Sequence, residues 1–284
     1  MRKSDKGLFA SIPLAAEPIF EIGNFTITNS LFNAYIGVAF FILVAFLVRK
    51  KITQIPRGFY NVVEALVEFA LKEIEKVTGD KKRARQFLPL VATIFFFILF
   101  SNWLGQIPGT GTIGVWGYLH GHFELIPLLR PATSDLNMTL AIAIVAIATT
   151  HFAGLTQLGV ANHISKFFNI RGIVRSLKKG PMDIVVAVVE FFIGLIEVIG
   201  EFAKTLSLSL RLFGNIFAGE VLMHVMLSLV SYVLPIPFIF LELLVGIIQA
   251  TVFAMLTLAF LVVATMDHGH EGDHEEHRAE PAHA

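Results

Sequence analysis

The chain has 284 residues, of which 55% are hydrophobic and only 15% are charged, and its formal net charge at pH 7 is zero. Because the apolar residues form runs of membrane-spanning length, this composition indicates an integral membrane protein. The balanced charge argues against a nucleic-acid-binding protein, and the lack of cysteine excludes disulfides, thiolate metal sites and cysteine catalysis.

The first apolar run, residues 31–48, is followed at once by Arg49 and two lysines, and we predict that it is the first membrane span. Residues 49–86 hold ten Lys or Arg against five Asp or Glu. The positive-inside rule therefore places this segment in the cytoplasm and residues 1–30, with the N-terminus, outside.

An apolar stripe recurs at three-to-four spacing over about residues 58–78, with charged residues between its members. This spacing predicts an amphipathic helix that lies at the membrane surface. A short soluble helix packed on its neighbours would show the same pattern.

Two further apolar runs, residues 87–104 and 136–158, are predicted to be the second and third spans. The stretch between them has Arg130 as its only Lys or Arg, so it belongs outside, whereas residues 159–182 carry five basic residues and no acid and belong in the cytoplasm. We interpret His151, on the third span, as a hydrogen-bonded core histidine.

The next 48 residues, 183–230, contain no proline, and as one helix they would extend about 72 Å, far more than the thickness of a bilayer. Either the chain crosses the membrane twice, with a break near Lys204 or Gly214, or a single helix runs strongly tilted. We favour the tilted helix. Proline at 235 and 237 ends it, and residues 238–265 return as the last span of a helical hairpin.

The predicted fold class is therefore all-α, with five membrane helices and one interfacial helix in a single membrane domain over residues 31–265. The remaining residues, 266–284, are acidic and rich in histidine. Metal binding is one interpretation of this tail, but we favour a solvated, disordered cytoplasmic end because nothing pre-organises the ligands. The tail histidines are His268, His270, His274, His277 and His283.

Charged residues recur at every seventh position of the long helix, so they lie along one slowly rotating face. They are Asp183, Glu190, Glu197, Lys204 and Arg211. Small residues share this face near the arginine and would let another helix approach closely. They are Gly200, Ser207, Gly214 and Ala218. Ion pairing with neighbouring helices explains Asp183 and Glu190 equally well. It explains Arg211 poorly, because no acid lies three or four residues away.

An arginine in hydrocarbon costs about 2.5–3.5 kcal/mol or more, so Arg211 should face a protein surface or a wet path. Glu220, nine residues on, projects to the opposite side of the helix. On the returning helix Glu242 and Gln249 share one face with Gly246, and the intervening turn would bring Glu242 toward Glu220. Carboxylates and the nearby His224 in a wet cleft can relay protons. Hydrogen-bonded packing is the alternative role for the two glutamates.

The segment from Ser207 to Glu220 reads Ser-Leu-Ser-Leu-Arg-Leu-Phe-Gly-Asn-Ile-Phe-Ala-Gly-Glu, which is similar nearly residue for residue to the signature of the subunit a family of rotary ATP synthases. Weaker similarities cover most of residues 20–265. The resemblance implies a non-catalytic, multi-pass stator subunit of a bacterial plasma membrane. It also implies that the tilted hairpin lies against a rotating ring of c subunits, with peripheral-stalk b subunits and the remainder of the complex as further partners.

Carried onto this chain, the resemblance gives Arg211 the task of meeting the ring carboxylate and keeping two proton half-channels apart. Gly200, Ser207, Gly214 and Ala218 would face the ring with it. The outer half-channel would be lined by Asn215, Glu220, Glu242 and Gln249, and the cytoplasmic one by Glu197, with Lys204 nearby. Some members of the family have histidine at the position of Glu242, and we hypothesise that His224 compensates for this difference.

The alternative function is a cation-coupled secondary transporter that binds an anionic solute through Arg211. The absence of an internal sequence repeat counts against it, because many such transporters are built from duplicated halves. A structural anchor whose charges only form ion pairs is a second alternative. The sequence contains no GxxxxGK[ST] motif, so we expect neither ATP chemistry nor a cofactor on this chain.

Overall fold

The computed structural model describes residues 15–23, 25–49, 58–107, 109–119, 122–159, 181–229 and 235–266. Most residues in these ranges are helical, and five helices are long and apolar enough to cross a membrane. The prediction of an all-α membrane protein with one additional amphipathic helix is confirmed. The helices are α1 (Asn29–Arg49), α2 (Phe59–Thr78), α3 (Lys81–Gln106), α4 (Leu136–Leu158), α5 (Pro181–Leu229) and α6 (Pro235–Thr265).

α3 and α6 begin three or more residues earlier than the apolar runs indicate. α3 starts at Lys81 rather than near residue 87, because Asp80 caps it by accepting hydrogen bonds from the backbone N–H groups of Lys82 and Arg83 at 2.9 and 3.4 Å. α6 starts at Pro235, so both prolines lie in its first turn, where a backbone N–H needs no helical partner. They open the last helix instead of only closing the one before it.

α5 is one uninterrupted helix of 49 residues. The chain therefore does not break near Lys204 or Gly214, which excludes the double crossing and leaves the single long helix that we favoured. Its tilt in the membrane remains a prediction. The side chains of Asp183 and Glu190, the loop over residues 160–180 and the histidine-rich tail from residue 267 onward lie outside the part of the structure that is described.

α2 carries the amphipathic pattern that its sequence predicts. Its apolar residues Phe59, Val62, Leu66 and Phe69 are exposed, while Ile74 is buried. The helix ends at Gly79, whose positive φ of 66° lets its N–H bond the carbonyl of Glu75 at 2.9 Å. An exposed apolar stripe fits a position at the membrane surface, which remains a prediction.

Two short hairpins occupy segments for which the sequence predicts only loops. β1 (Pro18–Ile22) pairs antiparallel with β2 (Phe25–Thr28), and β3 (Gly114–Leu119) pairs antiparallel with β4 (His122–Pro127). Each hairpin is a separate two-stranded sheet. Both lie in the stretches that the charge pattern assigns to the outer side.

The chain divides into two compact units. One comprises residues 1–146 and 203–258, and the other comprises residues 147–202 and 259–284. The first unit holds both hairpins, α1, α2, α3, part of α4, the second half of α5 and most of α6, and the functional groups described below come mainly from it.

A buried polar cluster joins α1, α3 and the short 3-10 turn Ala132–Ser134 within the first unit. Asn33, Asn102 and Thr133 are almost completely buried. Thr133 donates a hydrogen bond to the side-chain oxygen of Asn102, and the Asn33 side chain donates to the carbonyl of Arg130 at 2.8 Å. These hydrogen bonds attach the loop before α4 to α1 and α3.

Gly105 makes this junction sterically tight. A β-carbon at this position would overlap the ring of Pro131 and lie 2.6 Å from its backbone nitrogen, and neither group can move aside easily. We expect Gly105→Ala to lower stability by about 1–3 kcal/mol, the usual cost of overpacking. Thermal unfolding of the purified protein measures the loss.

Gly37→Ala is the matched control, because its β-carbon would lie at an ordinary 3.4 Å from Phe100 while the helix gains the same backbone propensity. Equal unfolding temperatures for the two variants would show that the junction is not tightly packed.

Candidate functional site

Glu220, on α5, forms a buried ion pair with Arg130 of the loop before α4. Arg130 Nε lies 2.9 Å from Glu220 Oε1, and Nε and Nη2 donate to Oε2 at 3.2 and 3.1 Å. The side chains are 3% and 14% exposed. The guanidinium thus engages both carboxylate oxygens, which fixes their position as well as balancing their charge.

Sequence reasoning missed this role of Arg130. The available signal was that it is the only Lys or Arg between the second and third predicted spans, where the positive-inside rule disfavours these residues. Arg130 is held from other sides too. Its Nη1 donates to the carbonyl of Ala15 at 3.1 Å, and its own carbonyl accepts the bond from Asn33.

Glu242, on α6, lies beside the residue that precedes Glu220. Its side chain packs so closely on Gly219 that a β-carbon there would overlap the carboxylate. The sequence-based expectation that Glu242 approaches this part of α5 is therefore met. Glu242 is 6% exposed, and its Oε2 has no hydrogen-bond partner within the described part of the chain.

Polar groups continue along the same face of α6. Gln249, two turns after Glu242, is 3% exposed and accepts a 2.7 Å hydrogen bond from the side chain of Asn215 on α5. Gly246 lies between them, with room for the side chain of Asn102 against it. Buried amide nitrogens of Gln249 and Asn102 have no partner among the residues described.

Arg211 projects from α5 one turn before Asn215, on an exposed face. In the described ranges it has neither an ion pair nor a hydrogen bond. Its neighbours Ser207, Gly214 and Ala218 are exposed as well. A β-carbon added at Gly214 would meet nothing within 4 Å. The side of α5 that packs on the protein instead carries the buried Leu208, Leu212 and Ile216.

The other predicted residues are not all brought into this cluster. His224 is exposed, and its Nδ1 lies 3.0 Å from the backbone oxygen of Glu220 rather than from the carboxylate. Lys204 is half-buried. In the second unit Glu197 is exposed and Gly200 is half-buried, with open space around it.

His151 differs from its predicted role as a core histidine. Its side chain is 31% exposed, and its Nε2 lies 3.5 Å from Glu201 of the same unit. Within the described ranges, no three His, Asp or Glu side chains are grouped in a way that could hold a metal ion.

Comparison with known proteins identifies the family. The family model described as ATP synthase A chain matches residues 30–262. The chain belongs to the ATP synthase A chain family. Its relatives include the ATP synthase subunit a of Moorella thermoacetica, which is 33% identical over 252 residues that cover 89% of this chain and 96% of the relative.

Two further relatives, also ATP synthase subunit a, are comparably similar. The protein of Gloeobacter violaceus is 30% identical over 92% of this chain and 94% of its own length. That of Campylobacter concisus is 32% identical over 81% of this chain and 87% of its own length. Membership of this family implies proton translocation in the membrane sector of an ATP synthase, and it fits a multi-pass membrane protein without a catalytic role. The secondary-transporter alternative therefore loses its support.

The contact between Gly219 and Glu242 leaves no space for a side chain at position 219. Gly219→Ala should displace the Glu242 carboxylate and reduce ATP-driven acidification of membrane vesicles by about tenfold, which corresponds to an overpacking cost within the usual range of about 1–3 kcal/mol. The measurement is quenching of a pH-sensitive dye by vesicles that contain equal amounts of assembled complex.

Gly246→Ala, one turn from Glu242 on α6, serves as the control, because its β-carbon would make only ordinary 3.5 Å contacts with Asn102 and Trp103. Unchanged acidification in Gly219→Ala would mean that the close approach of the two helices has no functional role.

Proposed function

We propose that this chain is the stator subunit that offers two offset half-channels to the carboxylates of a rotating c-ring, so that proton flow turns the ring and drives ATP synthesis. The observation that carries the proposal is Arg211, a charged residue without a partner in the described ranges, on the exposed small-residue face of a long apolar helix. A partner that brings carboxylates past this face would supply its missing counter-charge.

The outer half-channel is formed in this proposal by Glu220, Glu242, Gln249 and Asn215. They span α5 and α6 and end one turn from Arg211. Glu242 and Gln249 are seven residues apart, about 10 Å along the helix, which is too far for direct proton exchange. Their buried unpartnered polar atoms, together with that of Asn102, are groups that bind water in protein interiors. Bridging waters would join them into one path.

Arg211 separates this path from the cytoplasmic one. A guanidinium is always charged in proteins, so it attracts a deprotonated ring carboxylate without itself carrying a proton across. Each proton that crosses about 100 mV releases about 2.3 kcal/mol, and several are therefore needed for each ATP made on other subunits. Ser207, Gly214 and Ala218 let a ring helix approach the arginine closely.

We assign the cytoplasmic half-channel to Glu197, with Lys204 nearby in the sequence, and we assign Gly200 to the surface that faces the ring. Glu197 is exposed and lies two seven-residue repeats before Arg211 on the same helix. We retain the hypothesis that His224 assists the outer carboxylates, since it lies one turn from Glu220. With the N-terminus outside and the C-terminus cytoplasmic, the chain would contact peripheral-stalk b subunits and lipid as well as the ring.

Arg211→Lys tests the barrier. We expect it to abolish ATP-driven acidification of vesicles while assembly persists, because a lysine loses its proton far more readily than an arginine. Co-purification of the ring checks assembly. Arg85→Lys makes the same substitution on the exposed surface of α3, away from this face, and should leave acidification near the wild-type value. Normal pumping by the lysine variant would refute the proposed function.

Glu220→Gln tests the outer half-channel. Loss of the carboxylate should slow proton flow by about a hundredfold, whether Glu220 relays protons or holds charge beside the path, with the complex still assembled. Glu64→Gln, on the exposed surface of α2, removes a carboxylate without touching the path. A Glu220 variant that fails only in assembly would instead favour the packing role.

A further inference from the structure

The contact between Arg130 and Glu220 distinguishes the two outer carboxylates. We propose that Arg130 is a positioning residue that holds Glu220 as a fixed counter-charge, and that Glu242 is the carboxylate that exchanges protons with the outer half-channel. The inference rests on the proposed function and assigns separate roles to residues that this function groups together.

Glu220 has little freedom to exchange partners. Both of its carboxylate oxygens contact the guanidinium, with three N–O distances between 2.9 and 3.2 Å. The arginine is itself immobilised by the carbonyl of Ala15 and by the bond from Asn33 to its backbone. A buried carboxylate that is bound at both oxygens by a fixed arginine is suited to hold charge rather than to move it.

Glu242 has different surroundings, because its carboxyl is hydrogen-bonded to the side chain of Gln106 rather than held by an arginine. Its Oε2 is buried and has no hydrogen-bond partner within the described ranges, and its carboxylate lies against the bare backbone at Gly219. The polar groups on its own helix lead onward to Gln249 and from there to Asn215. With bridging waters between Glu242 and Gln249, a proton accepted by Glu242 would have a polar route toward Arg211, whereas the oxygens of Glu220 point at Arg130.

The charge of Arg130 explains why two carboxylates are arranged in this way. Two neighbouring buried carboxylates repel each other when both are ionised. Arg130 compensates one of the two negative charges permanently, so Glu242 can alternate between neutral and charged forms beside a neutral ion pair. Removing either member of that pair alone would leave an uncompensated buried charge, which is far more harmful than removing both.

A double-mutant cycle in the assembled complex tests the inference. Arg130→Gln and Glu220→Gln should each slow ATP-driven acidification, and the combined Arg130→Gln/Glu220→Gln variant should recover at least about tenfold over either single variant, within the coupling range of contacting residues. Glu242→Gln should be as slow as the other single variants, and adding Arg130→Gln should not rescue it. All rates are normalised to the amount of co-purified complex.

The outcomes distinguish a failure of this division of roles from a failure of the proposed function. If the combined variant is as slow as Glu220→Gln, then Glu220 itself carries the proton and the division of roles is wrong, although the proposed function stands. If Arg211→Lys also pumps normally, the proposed function fails.

Because Arg130→Gln alone also removes contacts that hold the loop before α4, Arg130→Lys provides a second variant. A lysine keeps the charge but cannot bind both oxygens in a fork, so acidification should fall several-fold with normal assembly. Wild-type acidification by this variant would overturn the positioning role.

Discussion

The cost of placing charge in an apolar environment determines where each ionised side chain of α5 can point. Glu220 lies on the protein-facing side and is compensated by Arg130, while Arg211 lies on the exposed side. The two residues are nine positions apart, which corresponds to opposite sides of a regular helix. Continuity of α5 is therefore what keeps the exposed arginine and the paired carboxylate from neutralising each other.

The irregular backbone before α4 positions the site as much as the helices do. Asn33 and Asn102 provide amide groups that fix the turn before α4, and Gly105 leaves the space in which Pro131 packs. Arg130 directly precedes that proline. Burying these polar groups costs free energy unless they are hydrogen-bonded to one another. Here their hydrogen bonds place the guanidinium of Arg130 within reach of α5.

Helical periodicity was sufficient to predict much of this arrangement. Apolar run lengths located the five long helices, and the angular spacing of residues placed Glu242 and Gln249 on one face and Glu220 opposite Arg211. The partner of Glu220 could not be predicted in this way, because Arg130 lies 90 positions away in a loop and local spacing carries no information about such contacts. The hairpins escaped prediction because strands of four to six residues show too little alternation. The first turn of α3 was not predicted, because its basic residues lie outside the apolar run.

The length of α5 has a mechanical consequence. Its 49 residues form an unbroken hydrogen-bond ladder about 74 Å long, without the proline at which a helix would bend. The first residue of the helix is proline, but a proline there costs no hydrogen bond. Without a break of this kind the helix resists bending near Arg211, so a force on that residue would be shared with neighbouring turns instead of being absorbed by a local hinge. In the stator role proposed above, this resistance to bending would help the subunit keep its place while the ring turns.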